Sequence, residues 1–164
     1  MSLSLFTHHG KGRKKIYSVT FSEEVRATSL QDAYEELFSI LKREQVRFHS
    51  SGDIQSYQHA LNIIEVARLC PDTKFWIPTR EMKIMADLKK NEVDIPENCV
   101  FRLSAPMVNG KLNTNIFSNT SSVVDDEKFF GNSWRCPSLN QGGSCLECRA
   151  CWNNDVKEVA YTKH

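Results

Sequence analysis

The sequence predicts an α/β domain built on a small parallel βαβαβ sheet, with a cysteine-rich segment at its C-terminal end. Two observations carry this. From Val46 to Pro106, runs rich in β-branched and aromatic residues alternate with helical periodicity across short links, the pattern of parallel strands joined by crossover helices. Beyond them, four of the six cysteines fall in the spacing C-x8-C-x2-C-x2-C, from Cys136 to Cys151. The chain has 164 residues, enough for a single hydrophobic core, and 40% hydrophobic with 25% charged residues excludes wholesale disorder and fibrous repeats.

Residues 1–45 read as an N-terminal arm and a helix. KGRKK (11–15) is a basic cluster of a solvated terminus, and IYSVTF (16–21) has strand character. Ser29 stands three residues before Asp32 in a capping-box-like start, and Tyr34, Leu37, Phe38 and Leu41 then recur at helical spacing. The βαβαβ core spans 46–106. VRFH (46–49) is extended, SSGD (50–53) breaks it, and Ser56 caps a helix with Leu61, Ile64 and Ala67 on one face before Pro71 ends it. KFWI (74–77) is a strand stopped by Pro78. Thr79 caps the next helix, where Met82, Met85 and Leu88 recur, and VFRLS (100–104) is the third strand. Residues 107–133, rich in Asn and Ser with an acidic run at 125–127, read as one long loop anchored from outside itself. In the final segment, 134–164, Val159 and Tyr161 alternate with Glu158, Ala160 and Thr162, which suits an edge strand.

Charge narrows the partners. Twenty-one basic and 20 acidic residues leave a net charge of +1, so no global field steers the protein to nucleic acid or an anionic membrane. No apolar run approaches the roughly 20 residues that span a bilayer, and MSLSLFTHHG lacks the apolar core of a secretory signal. The expectation is a soluble, cytoplasmic protein with reduced cysteines. Cys70 continues a helical apolar pattern and Cys99 opens a strand run, so both read as buried small hydrophobes.

Cys136, Cys145, Cys148 and Cys151 are different. Four thiols crowded into sixteen residues read as ligands of a metal or cluster, with Gly142 and Gly143 allowing the loop to turn tightly. Structural zinc usually takes two separated cysteine pairs. The unbroken C-x2-C-x2-C instead matches the run whose three thiolates wrap a [4Fe–4S] cubane, completed by a remote cysteine next to proline, here Cys136 before Pro137. An iron–sulfur cluster is therefore favoured over zinc. Arg149, between ligands, is placed to offset thiolate charge or simply to face solvent.

Ligands of parallel α/β folds gather at the carboxyl ends of strands. Ser51, Gly52, Asp53, Thr79, Arg80 and Ser104 would converge there as a small-molecule pocket, Arg80 suiting a carboxylate or phosphate; helix capping by Ser50, Asp53 and Thr79 is the competing explanation. His49 reads as a packed histidine rather than a general base. No Ser/His/Asp triad, phosphate-binding loop or paired carboxylates can be defended.

HSSGDIQSYQHALNIIEVARLCPDTKFWIPTR (49–80) and the ending CP…GGSCLECRACWNNDVKEVAYTKH resemble the phage-encoded gene product 88 family, over Val46 to His164. SGD after a strand and C-x2-C-R-x-C-W near the terminus carry the likeness. It implies a phage protein acting in the infected host cell, and supplies no reaction. Longer relatives carry cysteines upstream, so the resemblance also implies a shortened form. At the level of fold, the strand ends and terminal cysteines are similar to radical-SAM enzymes, which join a partial (β/α) barrel to [4Fe–4S] centres. On that analogy the terminal centre corresponds to an auxiliary one, because the three cysteines of an open-iron site are missing from the strand-to-helix loops. Two functions stand side by side: a phage accessory protein holding an iron–sulfur cluster beside a small polar pocket, or a non-enzymatic zinc-stabilised module that binds a host protein or nucleic acid.

Overall fold

Alternating side chains in extended runs must find cover on two faces of a sheet, and the cover differs between the faces here. The computed structural model describes residues 2–7, 15–20, 44–49, 52–112, 115–125 and 131–163. The helix expected at 29–41, together with Ser50 and Ser51, lies outside the described residues.

Strands β1 (Ser2–Thr7) and β2 (Lys15–Thr20) pair as an antiparallel hairpin; the first of them carried no sequence signal that singled it out. The main sheet has six strands, all parallel and curled into a half-barrel. In chain order they are β3 (Gln45–Arg47), β4 (Lys74–Thr79), β5 (Cys99–Ser104), β6 (Thr120–Val124), β7 (Trp134–Arg135) and β8 (Glu158–Thr162), and across the sheet β3-β4-β5-β6-β8-β7. Helix α1 (Tyr57–Leu69) links β3 to β4 and α2 (Met82–Lys90) links β4 to β5, so the βαβαβ unit stands as the sequence implies.

One face carries the main core. Phe75, Ile77, Phe101 and Leu103 project from β4 and β5 onto Ala60, Ile63, Ile64 and Ala67 of α1 and Met85 and Leu88 of α2. Each such buried large side chain contributes about 1.5–3 kcal/mol. Cys70 and Cys99 belong to this core. Burial pushes the Cys70 thiol up to about 12 and raises that of Cys99 further still, so both are inert hydrophobes here. The opposite face of β4, β5 and β8 carries Trp76, Arg102 and Val159 and is covered by the cysteine segment.

Several boundaries differ from expectation for local reasons. Ser56 does cap α1, its Oγ accepting from the His59 N–H at 3.1 Å. Pro78 does not stop β4. In a parallel ladder alternate residues face alternate neighbours, and the Trp76 carbonyl accepts from Phe48 of the β3 side, so Pro78 faces the side where β3 has already ended and its missing N–H costs nothing. Thr79 is not the N-cap of α2: Glu81 is, without a side-chain cap bond, while the Thr79 hydroxyl donates to Asp53 and accepts from the Glu81 N–H at 3.1 Å. Met82 is exposed while Met85 and Leu88 are buried. Strand β6 lies inside the stretch read as a loop; its polar run TSSVV hides a buried strand whose hydroxyls find partners across the sheet. β8 is interior rather than an edge, because the two-residue β7 covers its outer side.

Candidate metal centre

The cysteine segment is built by four local constraints. Cys136 follows β7 and its N–H donates to the Ala160 carbonyl at 2.8 Å, which fixes it to the sheet. Pro137 opens a 3₁₀ turn, Pro137–Gln141, and Gly142 and Gly143 then take left-handed φ of 61° and 76°, reversing the chain toward Cys145. Within C-x2-C, Leu146 is also left-handed at φ 43°, and the Cys148 N–H closes back on the Cys145 carbonyl at 2.8 Å. A second 3₁₀ turn, Ala150–Trp152, buries Cys151 and presses Trp152 edge-on against Trp76, with ring centroids 5.0 Å apart. Trp152 Nε1 donates to the Val46 carbonyl at 3.1 Å and Asn154 Nδ2 to the Glu97 carbonyl at 2.8 Å, mooring the segment to the half-barrel.

Cys136, Cys145, Cys148 and Cys151 thereby line one small cavity of about 10 Å³, walled by Trp134, Trp152 and Val159. Their electrostatics agree. Burial pushes the Cys145 thiol up, and Cys136 and Cys148 raise it further, while Arg149 and Arg47 pull it down. Burial pushes Cys151 up to about 11 against the lowering influence of a 3.3 Å contact with the Tyr161 hydroxyl and of Arg102; Cys136 and Cys145 again raise it. Among the described residues no three His, Cys, Asp or Glu side chains close on one point as the ligands of a single ion do.

Beneath the cysteines lies a residue the sequence reading passed over. Arg102, in the middle of β5, is 0% exposed, and its two terminal nitrogens donate to the carbonyls of Thr120, Val156, Ala150 and Asn153 at 3.0–3.2 Å. The available signal was an arginine inside the otherwise apolar run CVFRL.

The strand-end residues divide. Asp53 Oδ1 accepts from the Ile54 N–H at 2.7 Å and the Thr79 hydroxyl at 2.6 Å, and its Oδ2 from the Arg80 N–H at 2.7 Å. Asp53, Thr79 and the Arg80 backbone are thus brought together as a clamp between the β3–α1 connection and the end of β4, with Gly52 entering it at φ 82°. The Arg80 side chain is exposed. Ser104 pairs with Ser121 at 3.0 Å instead of joining that group. His49, left-handed at φ 55°, is buried edge-on to His59 with centroids 5.5 Å apart.

A half-barrel α/β protein whose sheet face opposite α1 and α2 holds a four-cysteine cavity is the class that fold and site define. The chain belongs to the phage gene product 88 family, whose model matches residues 4–154, reaching further toward the N-terminus than the likeness read from the sequence. Neither a curated protein nor a solved structure matches it, so no match supports the likeness to radical-SAM enzymes. No helix among the described residues is long and apolar enough to cross a membrane.

Proposed function

We propose that this protein is a phage accessory protein that holds an iron–sulfur cluster, most simply [4Fe–4S], through Cys136, Cys145, Cys148 and Cys151. The observation that carries the reading is that all four thiols line one cavity, although Cys136 follows β7, Cys145 and Cys148 flank a turn beyond the glycines, and Cys151 lies in the second 3₁₀ turn. The donor set fits: four soft sulfur ligands, cationic arginines close by, and an apolar wall that excludes water. A zinc ion draws its thiolates to about 2.3 Å from a single point. The unbroken C-x2-C-x2-C run, with Cys136 next to Pro137, favours the cluster over zinc. The chain's own part is to hold the ligands, to hydrogen-bond Cys151 through Tyr161 and to seal the site with Trp134 and Trp152; a bound cluster would supply one-electron chemistry.

At the carboxyl edge of the sheet, a small anion would meet the exposed Arg80 side chain, since the Asp53 carboxylate is already committed within the chain. A zinc-stabilised module that binds a host protein is favoured by one observation, the exposure of Trp134, Leu139 and Leu146 around the cysteines. Anaerobic purification decides between them. A brown protein absorbing at about 400 nm, with iron and acid-labile sulfide in equal amounts, is the expected result. Colourless protein carrying one zinc per chain would replace the cluster with the zinc module.

A further inference from the structure

Arg102 is the group that packing explains least. A guanidinium in a core must find both hydrogen-bond acceptors and a counter-anion, because its charge is costly to remove from water. Arg102 has the acceptors in four main-chain carbonyls, all of them uncharged, and its Nε–H has no acceptor at all. Among the described residues no carboxylate acts on it: the ionisable groups that do are Cys151 and Tyr161. Two of the carbonyls it holds, those of Ala150 and Asn153, belong to the turn that carries Cys151. A second buried donor on the same face, Trp76 Nε1, is also without an acceptor. With neutral thiols, no anion among the described residues stands against Arg102. Four thiolates on a dipositive core form a net dianion, which supplies what is missing.

We propose that Arg102 is the built-in countercharge of an anionic centre bound by Cys136, Cys145, Cys148 and Cys151, a positioning residue that strengthens binding of the centre and favours its reduced state. The inference rests on the cysteines holding a centre. A fixed positive charge stabilises the more negative member of a redox pair. When a one-electron reductant such as dithionite donates to a cluster, the added negative charge therefore falls where a guanidinium already faces it. Carbonyl contacts alone would give Arg102 a scaffolding role that is indifferent to the charge of the centre.

The test uses the full chain reconstituted anaerobically with ferrous iron and sulfide, as wild type, Arg102→Met and Arg102→Lys. Three quantities are read: centre retained against a chelator, midpoint potential by dithionite titration, and urea stability with and without the centre. Arg102→Met is expected to weaken retention at least tenfold, to move the potential to more negative values, and to destabilise the loaded protein more than the centre-free one. Arg102→Lys keeps the charge but gives up the planar fork, so it should retain most of the affinity and potential while losing stability. Equal destabilisation of both forms by Arg102→Met, with retention and potential unchanged, would overturn the proposal. Should Arg102→Met not fold, Arg102→Lys decides: affinity falling in step with stability overturns the countercharge role, and affinity retained supports it. If wild type holds zinc, retention and the stability comparison decide in the same way. Wild type that takes up neither iron nor zinc refutes the cysteine reading itself, and this inference with it.

Discussion

Replacing Asp53 by alanine separates the strand-end clamp from the cysteine cavity. The carboxylate accepts three hydrogen bonds, from Ile54 N, Thr79 Oγ1 and Arg80 N. Thr79 is 2% exposed, so its hydroxyl would be left without an acceptor in the interior, at a cost of about 1–3 kcal/mol. The two N–H donors lie at partly exposed positions where water substitutes, and add roughly 0.5–1 kcal/mol each. The sum is about 2–5 kcal/mol, a large share of the roughly 5–15 kcal/mol that holds a domain together. With a urea slope of about 2 kcal/mol/M, the unfolding midpoint of Asp53→Ala should fall by about 1–2.5 M. Metal or iron content per folded chain should be unchanged, since no bond of Asp53 reaches the cysteine segment. An unchanged midpoint would refute the clamp, and loss of the centre in folded protein would refute the independence of the two regions.

Other perturbations test other links. Cys148→Ser should remove bound metal and loosen the segment from 136 to 153 without dissolving the α1–α2 core, which limited proteolysis would locate at the C-terminal end. Alkylation of centre-free protein at neutral pH, followed by mass spectrometry, should label cysteines of the terminal segment and spare Cys70 and Cys99 until the chain is unfolded; early labelling of either would contradict their burial. Burial, and next the neighbouring His49, hold His59 down at about 4, below the 6.5 of an unfolded histidine. The unfolded chain therefore binds the extra proton first, and stability should fall as pH drops from 6.5 toward 4, by about 2–3 kcal/mol in all. His59→Gln should flatten that part of the urea-midpoint profile, and an identical slope in both proteins would assign it to other groups.

The parts of the fold legible in the sequence are those where period and punctuation agree. Ser56, the apolar face of α1 and the break at Pro71 all mark one helix, and the structure ends α1 at Leu69. Pattern reading failed where burial is polar. Thr120, Ser121 and Ser122 are buried strand residues whose hydroxyls pair across the sheet, a satisfaction invisible without knowing the neighbours. It failed again at β8, where alternation shows that a face is covered but not whether another strand lies alongside. The cysteines were legible because their spacing is itself the signal. Their supports were not: Arg102, Tyr161 and Trp76 are 34, 10 and 60 residues from Cys136 or Cys151 in the chain and meet the site only through strand order.

The same two-residue alternation builds both halves of the protein. In β4 and β5, Phe75, Ile77, Phe101 and Leu103 face the helices, which forces Trp76 and Arg102 onto the other side. A one-residue slip of either strand would bury the charge among the helices and turn the core outward, so the register that protects the hydrophobic core also delivers Arg102 to the cysteines. That face cannot be completed by the βαβαβ unit alone. Its cover comes from a segment some fifty residues further along the chain, held by Arg102 at four carbonyls and by Trp152 at β3. A centre bound by the cysteines would therefore stabilise the long-range closure of the half-barrel, and the ligand set and the fold would report on one another. Loss of the centre should be felt first where the cysteine segment meets β3, β4 and β5, with hydrogen exchange accelerating at the Trp152 and Asn153 amides before it does in α1.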